Sequence, residues 1–527
     1  MRFGSLACFV APTPMRLTIV TIPAVPGVLA ASSSYVSRVL EGVTGGVALV
    51  CGNRRLTGAD VRSGVARMAA GLAGVGIGPG SGFACLHGNT PEAIMVRLAG
   101  QLLGARYIGL RPIYAIAEQA KALADADVFI FEPDRQDEAF DLLALAPVPN
   151  VRSLGPSAWA ENLLAVDRVA RLEDFFDRPE QTAMVAFTSG TTGRPKGVGH
   201  SFAAASAFLD AARWMYGPGS WRFLVAIPLS DLGGDLAQWT LATGGTVVLE
   251  DDFEPVALLT TIERERITHL FLDPSSLYKF AEHRAVMAAD LSSIRQIIYG
   301  GGAATPTRTA QAVKTLGLVV AQNYGAQEAG FITSLSCVEH AREELLSSVG
   351  RSLPGVEITI RDNSGNTLRN GLIGEVWLRS PMVMSGYWRD AEQTARVVRD
   401  GWLVTGDIGR LDKRGYLYLV DRSVDMIIVE AYNVYSRRVE QVLAGHPGVR
   451  EAVVVGVPDS DSGEAVCAAV VPATTAALDA SELRSLVGDT LGDIHIPRRV
   501  EFVAEIPLTP RGKPDKAAVR KLFTEAS

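Results

Sequence analysis

Helical and strand-like spacings of apolar residues take turns along most of this chain. Residues 61–72 place their apolar positions at helical spacing, 82–86 form a short apolar run, and 91–103 return to the helical period. Short runs at 106–110 and 127–131 flank a helical stretch at 116–124. A strand at 184–187 ends in a glycine-rich turn. After it, helices are expected at 202–216 and 235–243, and strands at 223–228, 246–249, 269–272 and 295–299. The run 318–322 leads into Asn323-Tyr324-Gly325. This is βαβ rhythm, and it implies parallel sheets with helices on their faces. From 355 to 419 the pattern changes to short alternating strands between glycine turns, as at 356–360 and 375–378, which points to a small β-barrel or meander. Beyond Asp421 the periods mix again, with strands expected at 452–457 and 466–471. The expected fold is α/β: a large N-terminal domain of βαβ subdomains with a small β-barrel, then a small α+β C-terminal domain. The boundaries read as an N-terminal extension at 1–25, a large domain at 26–421 and a small one at 422–527.

A length of 527 residues exceeds what one core supports, which agrees with two or more domains. With 48% hydrophobic and 20% charged residues the composition is that of an ordinary globular protein. A net charge of -7 argues against a nucleic-acid scaffold. The five cysteines are scattered, without a CxxC pair, so neither a disulfide framework nor a zinc site is expected and a reducing, cytoplasmic setting is. The seven histidines form no HExxH pattern. No apolar run is long enough for a membrane span. The first twenty residues read as a ragged, poorly ordered extension, with Met15 as an alternative start.

Candidate chemistry centres on 188–197, TSGTTGRPKG. Gly190, Gly193 and Gly197 let backbone N–H groups converge on an anion, while Thr188, Ser189, Thr191, Thr192 and Lys196 add donors and charge. Such a nest suits a polyphosphate; the plain alternative is a flexible surface loop. It is not a Walker A loop, because Lys196 lies between Pro195 and Gly197 rather than before Ser or Thr. Downstream, Gly301-Gly302-Ala303 would let a flat ring lie against the backbone, though a tight turn explains them equally well. In 323–328, NYGAQE, Tyr324 can stack on a purine, Asn323 can bond its exocyclic amine, and Glu328 offers a hard oxygen to Mg²⁺.

The 188–197 string matches the phosphate loop of the adenylate-forming superfamily, which includes acyl-CoA synthetases, peptide-synthetase adenylation domains and luciferases. Further ordered strings resemble the same family: Tyr299 to Ala303, Asn323 to Glu328, Gly374 to Trp388, Trp402 to Asp407, Asp421-Arg422, and Pro507 to Lys513. The chain resembles the acyl- and aryl-CoA ligase branch along nearly its whole length. The resemblance implies ATP and Mg²⁺ as cofactors, an acid activated as acyl-AMP, and pyrophosphate release. It implies that the loop and Lys196 hold phosphates, that Gly325 belongs to the AMP site, and that Asp407 and Arg422 hold the ribose. Lys513 would be the catalytic lysine, on a mobile domain that swings near 422–425. The segment from Gly374 to Trp388 is read as structural.

Four positions depart from the family. Asp231 stands where a His often flanks the acyl pocket; it either sits in that pocket or caps the following helix. Gln327 replaces the Thr or Ser that meets the α-phosphate, and its amide can still donate. Val424 replaces the hinge Asp or Lys, with Asp425 next door. Glu430-Ala431 replace residues that line the pantetheine tunnel. Asp231, Gly233, Gly301 and Phe331 are the expected pocket walls. The departures lie on the acceptor side, so three acceptors remain open. The first is CoA, in a ligase for an aromatic or medium-chain acid. The second is an arylamine, in a diazotase that activates nitrite without CoA. The third is the thiol of a carrier protein. No nucleic-acid or membrane partner is expected.

Overall fold

The computed structural model describes residues 35–112, 114–167, 169–172, 178–188, 196–422, 425–429, 432–459, 462–473, 478–509 and 512–524. The expected extension at 1–25, with Met15, lies outside the described residues.

Runs such as Gly82–Leu86, Val128–Phe131, Thr246–Leu249 and His269–Leu272 are buried along their whole length. Strands without an exposed face belong in parallel sheets covered on both sides, and two such sheets form. The first has eight strands, in the order Gly386–Tyr387, Lys196–Ser201, Thr182–Thr188, Arg106–Gly109, Gly82–Leu86, Val128–Phe131, Asn150–Ser153, Glu161–Asn162. The second has nine: Arg351–Ser352, Gly330–Leu335, Val320–Ala326, Gln296–Gly300, His269–Leu272, Arg222–Val225, Thr246–Leu249, Val47–Cys51, Arg54–Thr57. Both are parallel in the middle and turn antiparallel at edges.

One large core lies between the sheets. It takes Phe83 and Val198 from one, Phe223 and Val247 from the other, and the buried faces of helices Pro91–Leu102 and Leu232–Ala242. Smaller cores cover the outer faces. Helix starts follow local chemistry. Thr57 and Asp60 form a reciprocal capping box ahead of Gly58–Gly74, and Ser201 accepts from the Ala204 N–H ahead of Phe202–Tyr216.

The stretch expected as barrel or meander is a five-stranded antiparallel sheet in which Trp402–Leu411 pairs with three neighbours. Asp407 and Arg422 are register partners in it. A last five-stranded sheet, built from residues 426–502, carries helices Ser436–Ala444 and Ala480–Leu491 on one core and Lys516–Thr524 on another. The strand Lys196–Ser201 was not expected: its sequence, KGVGHS, has too little β-branched content to read as one. It pairs antiparallel with Thr182–Thr188.

Candidate active site

The chemistry-bearing residues gather where parallel strands of both sheets end. In open α/β sheets ligands bind in the crevice outside the carboxyl ends of the strands. Of the phosphate loop, Ser189, Gly190, Thr191, Thr192 and Gly193 lie outside the described residues. Its ends are fixed, because Thr188 and Lys196 are cross-strand partners. Lys196 Nζ stands 5.1 Å from the centre of the Tyr387 ring, and the Tyr387 hydroxyl donates to Glu328 Oε1 at 2.9 Å. Tyr387 reaches this place because Gly386–Tyr387 adds to the edge of Lys196–Ser201. Burial, then the Glu328 charge, pushes the Tyr387 hydroxyl up, so it remains a proton donor. Tyr387 thus joins the phosphate-side cation to the expected metal-side carboxylate, although the sequence reading gave it only a structural part.

Gly300 and Asn323 are register partners on adjacent parallel strands, so Gly301, Gly302 and Ala303 lie beside Asn323 and Tyr324. All three are exposed, and Gly301 has a φ of +78, a conformation that favours glycine. Asn323 is buried and its Nδ2 donates to Tyr216 Oη at 3.2 Å. Its amide oxygen is the atom that could accept from a purine amine. The Tyr324 hydroxyl donates to the Asp407 carboxylate, and Arg422 Nε is 3.3 Å from the other Asp407 oxygen. Burial and Asp407 hold the Tyr324 hydroxyl well above its ordinary value. Gly325 has no room for a side chain, since a Cβ would lie 2.4 Å from the Gly330 carbonyl oxygen.

Asp231 occupies the position before helix Leu232–Ala242 but makes no side-chain cap, so the helix-cap alternative does not hold. Its Oδ1 instead pairs with Arg111 Nη2 at 2.7 Å and accepts from Gln327 Nε2 at 2.9 Å. Helix capping lost to an ion pair because a buried guanidinium needs a counter-charge. Gln327 is held from behind: buried His200, kept neutral by desolvation, donates from Nε2 to the Gln327 carbonyl at 2.8 Å. Arg111 escaped the sequence reading. The available signal was a charged residue just past the C-terminal end of a parallel strand.

Two expected pocket walls sit differently. Gly233 is buried against backbone, where a Cβ would lie 2.5 Å from the Ile227 carbonyl oxygen, so it seats the helix rather than opening a wall. Phe331 is buried in a cluster with Phe208 and Trp239, at ring-centre distances of 6.3 and 5.6 Å. Lys513 is exposed on a turn closed by a bond from Thr509 N to its carbonyl at 2.7 Å. Val424, Glu430 and Ala431 lie outside the described residues, while Asp425 faces Lys516 Nζ at 3.7 Å. No group of three or more metal-ligating side chains occurs among the described residues. A metal here would rest on Glu328 and on oxygens of its nucleotide, which suits Mg²⁺.

The structure thus brings together Tyr387 with Glu328 and Lys196, Tyr324 and Arg422 with Asp407, and Arg111 and Gln327 with Asp231. Comparison with known proteins gives the family. The profile of the AMP-binding enzyme family matches residues 38–388, and that of the AMP-binding enzyme C-terminal domain matches 438–513. Among solved structures, the amide bond synthetase McbA from Marinactinospora thermotolerans is 56% identical, covering 93% of this chain and 99% of that one, with a TM-score of 0.89. A medium/long-chain-fatty-acid–CoA ligase of Mycobacterium tuberculosis is 35% identical over 91% of this chain and 88% of its own length. A feruloyl-CoA synthase of Amycolatopsis is 34% identical over 90% of this chain and 95% of its own.

Proposed function

The chain belongs to the AMP-binding enzyme family, and on that premise we propose that it is an amide-forming ligase, which activates a carboxylic acid with ATP and passes the acyl group to an amine. The adenylating half is the family's own chemistry. A carboxylate oxygen attacks the α-phosphate, the bond to the β-phosphate oxygen breaks, and pyrophosphate leaves. Little covalent help is needed beyond placing the groups and balancing charge. In this reading the glycine-rich loop and Lys196 take the β- and γ-phosphates. Glu328, steadied by Tyr387, holds Mg²⁺, which supplies charge neutralisation when bound. Asp407 and Arg422 take the ribose, and Lys513, carried on residues 422–527, reaches the α-phosphate.

The observation that carries the amine acceptor is the Asp231 carboxylate beside Gln327. An amine arrives as an ammonium and must shed protons before and after attack on the adenylate carbonyl; AMP leaves as the C–N bond forms. A carboxylate within reach can take a proton in that step. A thiol has a single proton to lose and ionises more readily than an ammonium, so it asks less of a base. The likeness to an amide bond synthetase supports the same reading. The CoA-ligase reading rests on the curated relatives and remains the second.

The test begins with pyrophosphate exchange by the full chain over benzoate, ferulate, indole-3-acetate and octanoate. The acid with the fastest exchange is then given benzylamine, or CoA, or is replaced by nitrite with an arylamine. Amide formed without CoA is the expected result, and Asp231→Asn should slow that step ~10²-fold. Thioester as the sole product would reject the amine, and AMP release that needs nitrite would point to diazotisation.

A further inference from the structure

Arg111 and Asp231 come from different sheets. Arg111 lies two residues beyond Arg106–Gly109 of the eight-stranded sheet, and Asp231 follows Arg222–Val225 of the nine-stranded one. The two segments touch at the backbone: a Cβ on Gly109 would lie 2.6 Å from the Ser230 carbonyl oxygen. Arg111 is only 4% exposed, whereas the Asp231 side chain is 29% exposed. Arg111 Nη2 and Gln327 Nε2 both take Oδ1 of Asp231. Both contacts converge on one oxygen, which fixes the orientation of the carboxylate.

This pairing answers a conflict in the reaction. The first substrate is a carboxylate, and a bare Asp231 beside it would repel it. The second substrate is a protonated amine, for which the same Asp231 is useful. We propose that Arg111 is a positioning residue that serves both steps. Its charge cancels that of Asp231 toward the incoming acid, and its hold on Oδ1 keeps the carboxylate oriented for the amine proton. The inference rests on the amide-forming reading above.

A charge-removal double-mutant cycle tests it in the full chain, with the acid chosen by the exchange panel. Arg111→Met leaves Asp231 uncompensated and should raise the acid's KM in pyrophosphate exchange at least ~10-fold, as expected for like charges a few ångströms apart. Arg111→Lys keeps the charge and should fall between. Adding Asp231→Asn to Arg111→Met removes both charges and should bring the acid's KM back to within ~3-fold of wild type, a coupling that only neighbouring groups show. Amide formation stays slow in that double variant. A tie that merely joins the sheets predicts no such recovery. An acid KM unmoved in folded Arg111→Met, or as high in the double variant as in the single one, overturns the inference. If Arg111→Met does not fold, the double variant decides alone by the same KM criterion, and loss of folding in both also overturns it. A wild-type chain that makes thioester and no amide refutes the reading beneath; amide with an unmoved KM refutes this inference alone.

Discussion

Tyr387→Phe isolates one hydroxyl at the phosphate end of the site. The ring stays, so the contact with Lys196 at 5.1 Å survives, and only the bond to Glu328 at 2.9 Å is lost. Tyr387 is 8% exposed, so water replaces the lost donor poorly. A hydrogen bond to a charged acceptor is worth about 1.5–3 kcal/mol, which corresponds to roughly 10- to 100-fold. Outer partners of metal-binding carboxylates cost ~10- to 100-fold in metal affinity when removed, which agrees with that range. The variant should therefore need at least ~10-fold more Mg²⁺ for half-maximal pyrophosphate exchange. Tyr387→Leu also removes the ring and should cost a further ~0.5–2 kcal/mol. Burial and the Glu328 charge hold the phenol protonated, so the wild-type to Phe ratio should not change across the neutral range. Magnesium titrations of exchange at fixed ATP and acid read all of this. A Phe variant with the wild-type half-saturation point would show that Tyr387 only packs and that Glu328 is oriented by something else.

Lys513→Ala should slow acyl-adenylate formation by at least ~10²-fold, the usual cost of one preorganised charge donor, with no change in melting temperature because the residue is exposed; exchange at the wild-type rate would remove Lys513 from the reaction. His87 and His269 are buried and neutral, each pushed by burial down to about 4. Unfolded chains bind protons at these residues near the ordinary value of about 6.5, so stability is full above that pH and is lost as pH falls toward 4, by up to ~3 kcal/mol for each. Urea unfolding at pH 7 and 4.5 measures the loss, and His87→Gln should reduce it; an unchanged pH slope in that variant would contradict the assignment.

Much of the layout was legible because strand ends announce themselves. Gly301 follows a run of buried aliphatics, and Asn323 and Tyr324 end another, so the two landed side by side once the strands paired. Asp407 and Arg422 likewise fell together through register. What stayed hidden depends on partners far off in the chain. Nothing near Asp231 says that a guanidinium from the other sheet will meet it, so the sequence left only a pocket place or a helix cap to choose between. Tyr387 had an unremarkable neighbourhood until an edge strand laid it on Lys196–Ser201. Phe331 and Gly233 are expected pocket walls whose packing depends on distant segments: Phe331 joins Phe208 and Trp239, and Gly233 sits against the Ile227 backbone.

Asp421 and Arg422 are neighbours whose side chains face different segments, one after them in the chain and one before. Asp421 accepts from the Ser436 hydroxyl and the Arg437 N–H, while Arg422 reaches back to Asp407. The axle on which the small unit would turn is thus bolted beside the grip that would hold a nucleoside sugar. A sugar lodged there would act as a brake on the axle, and its departure would release it. Catalytic tempo in such a machine would follow the exit of spent AMP more closely than the making of the new bond.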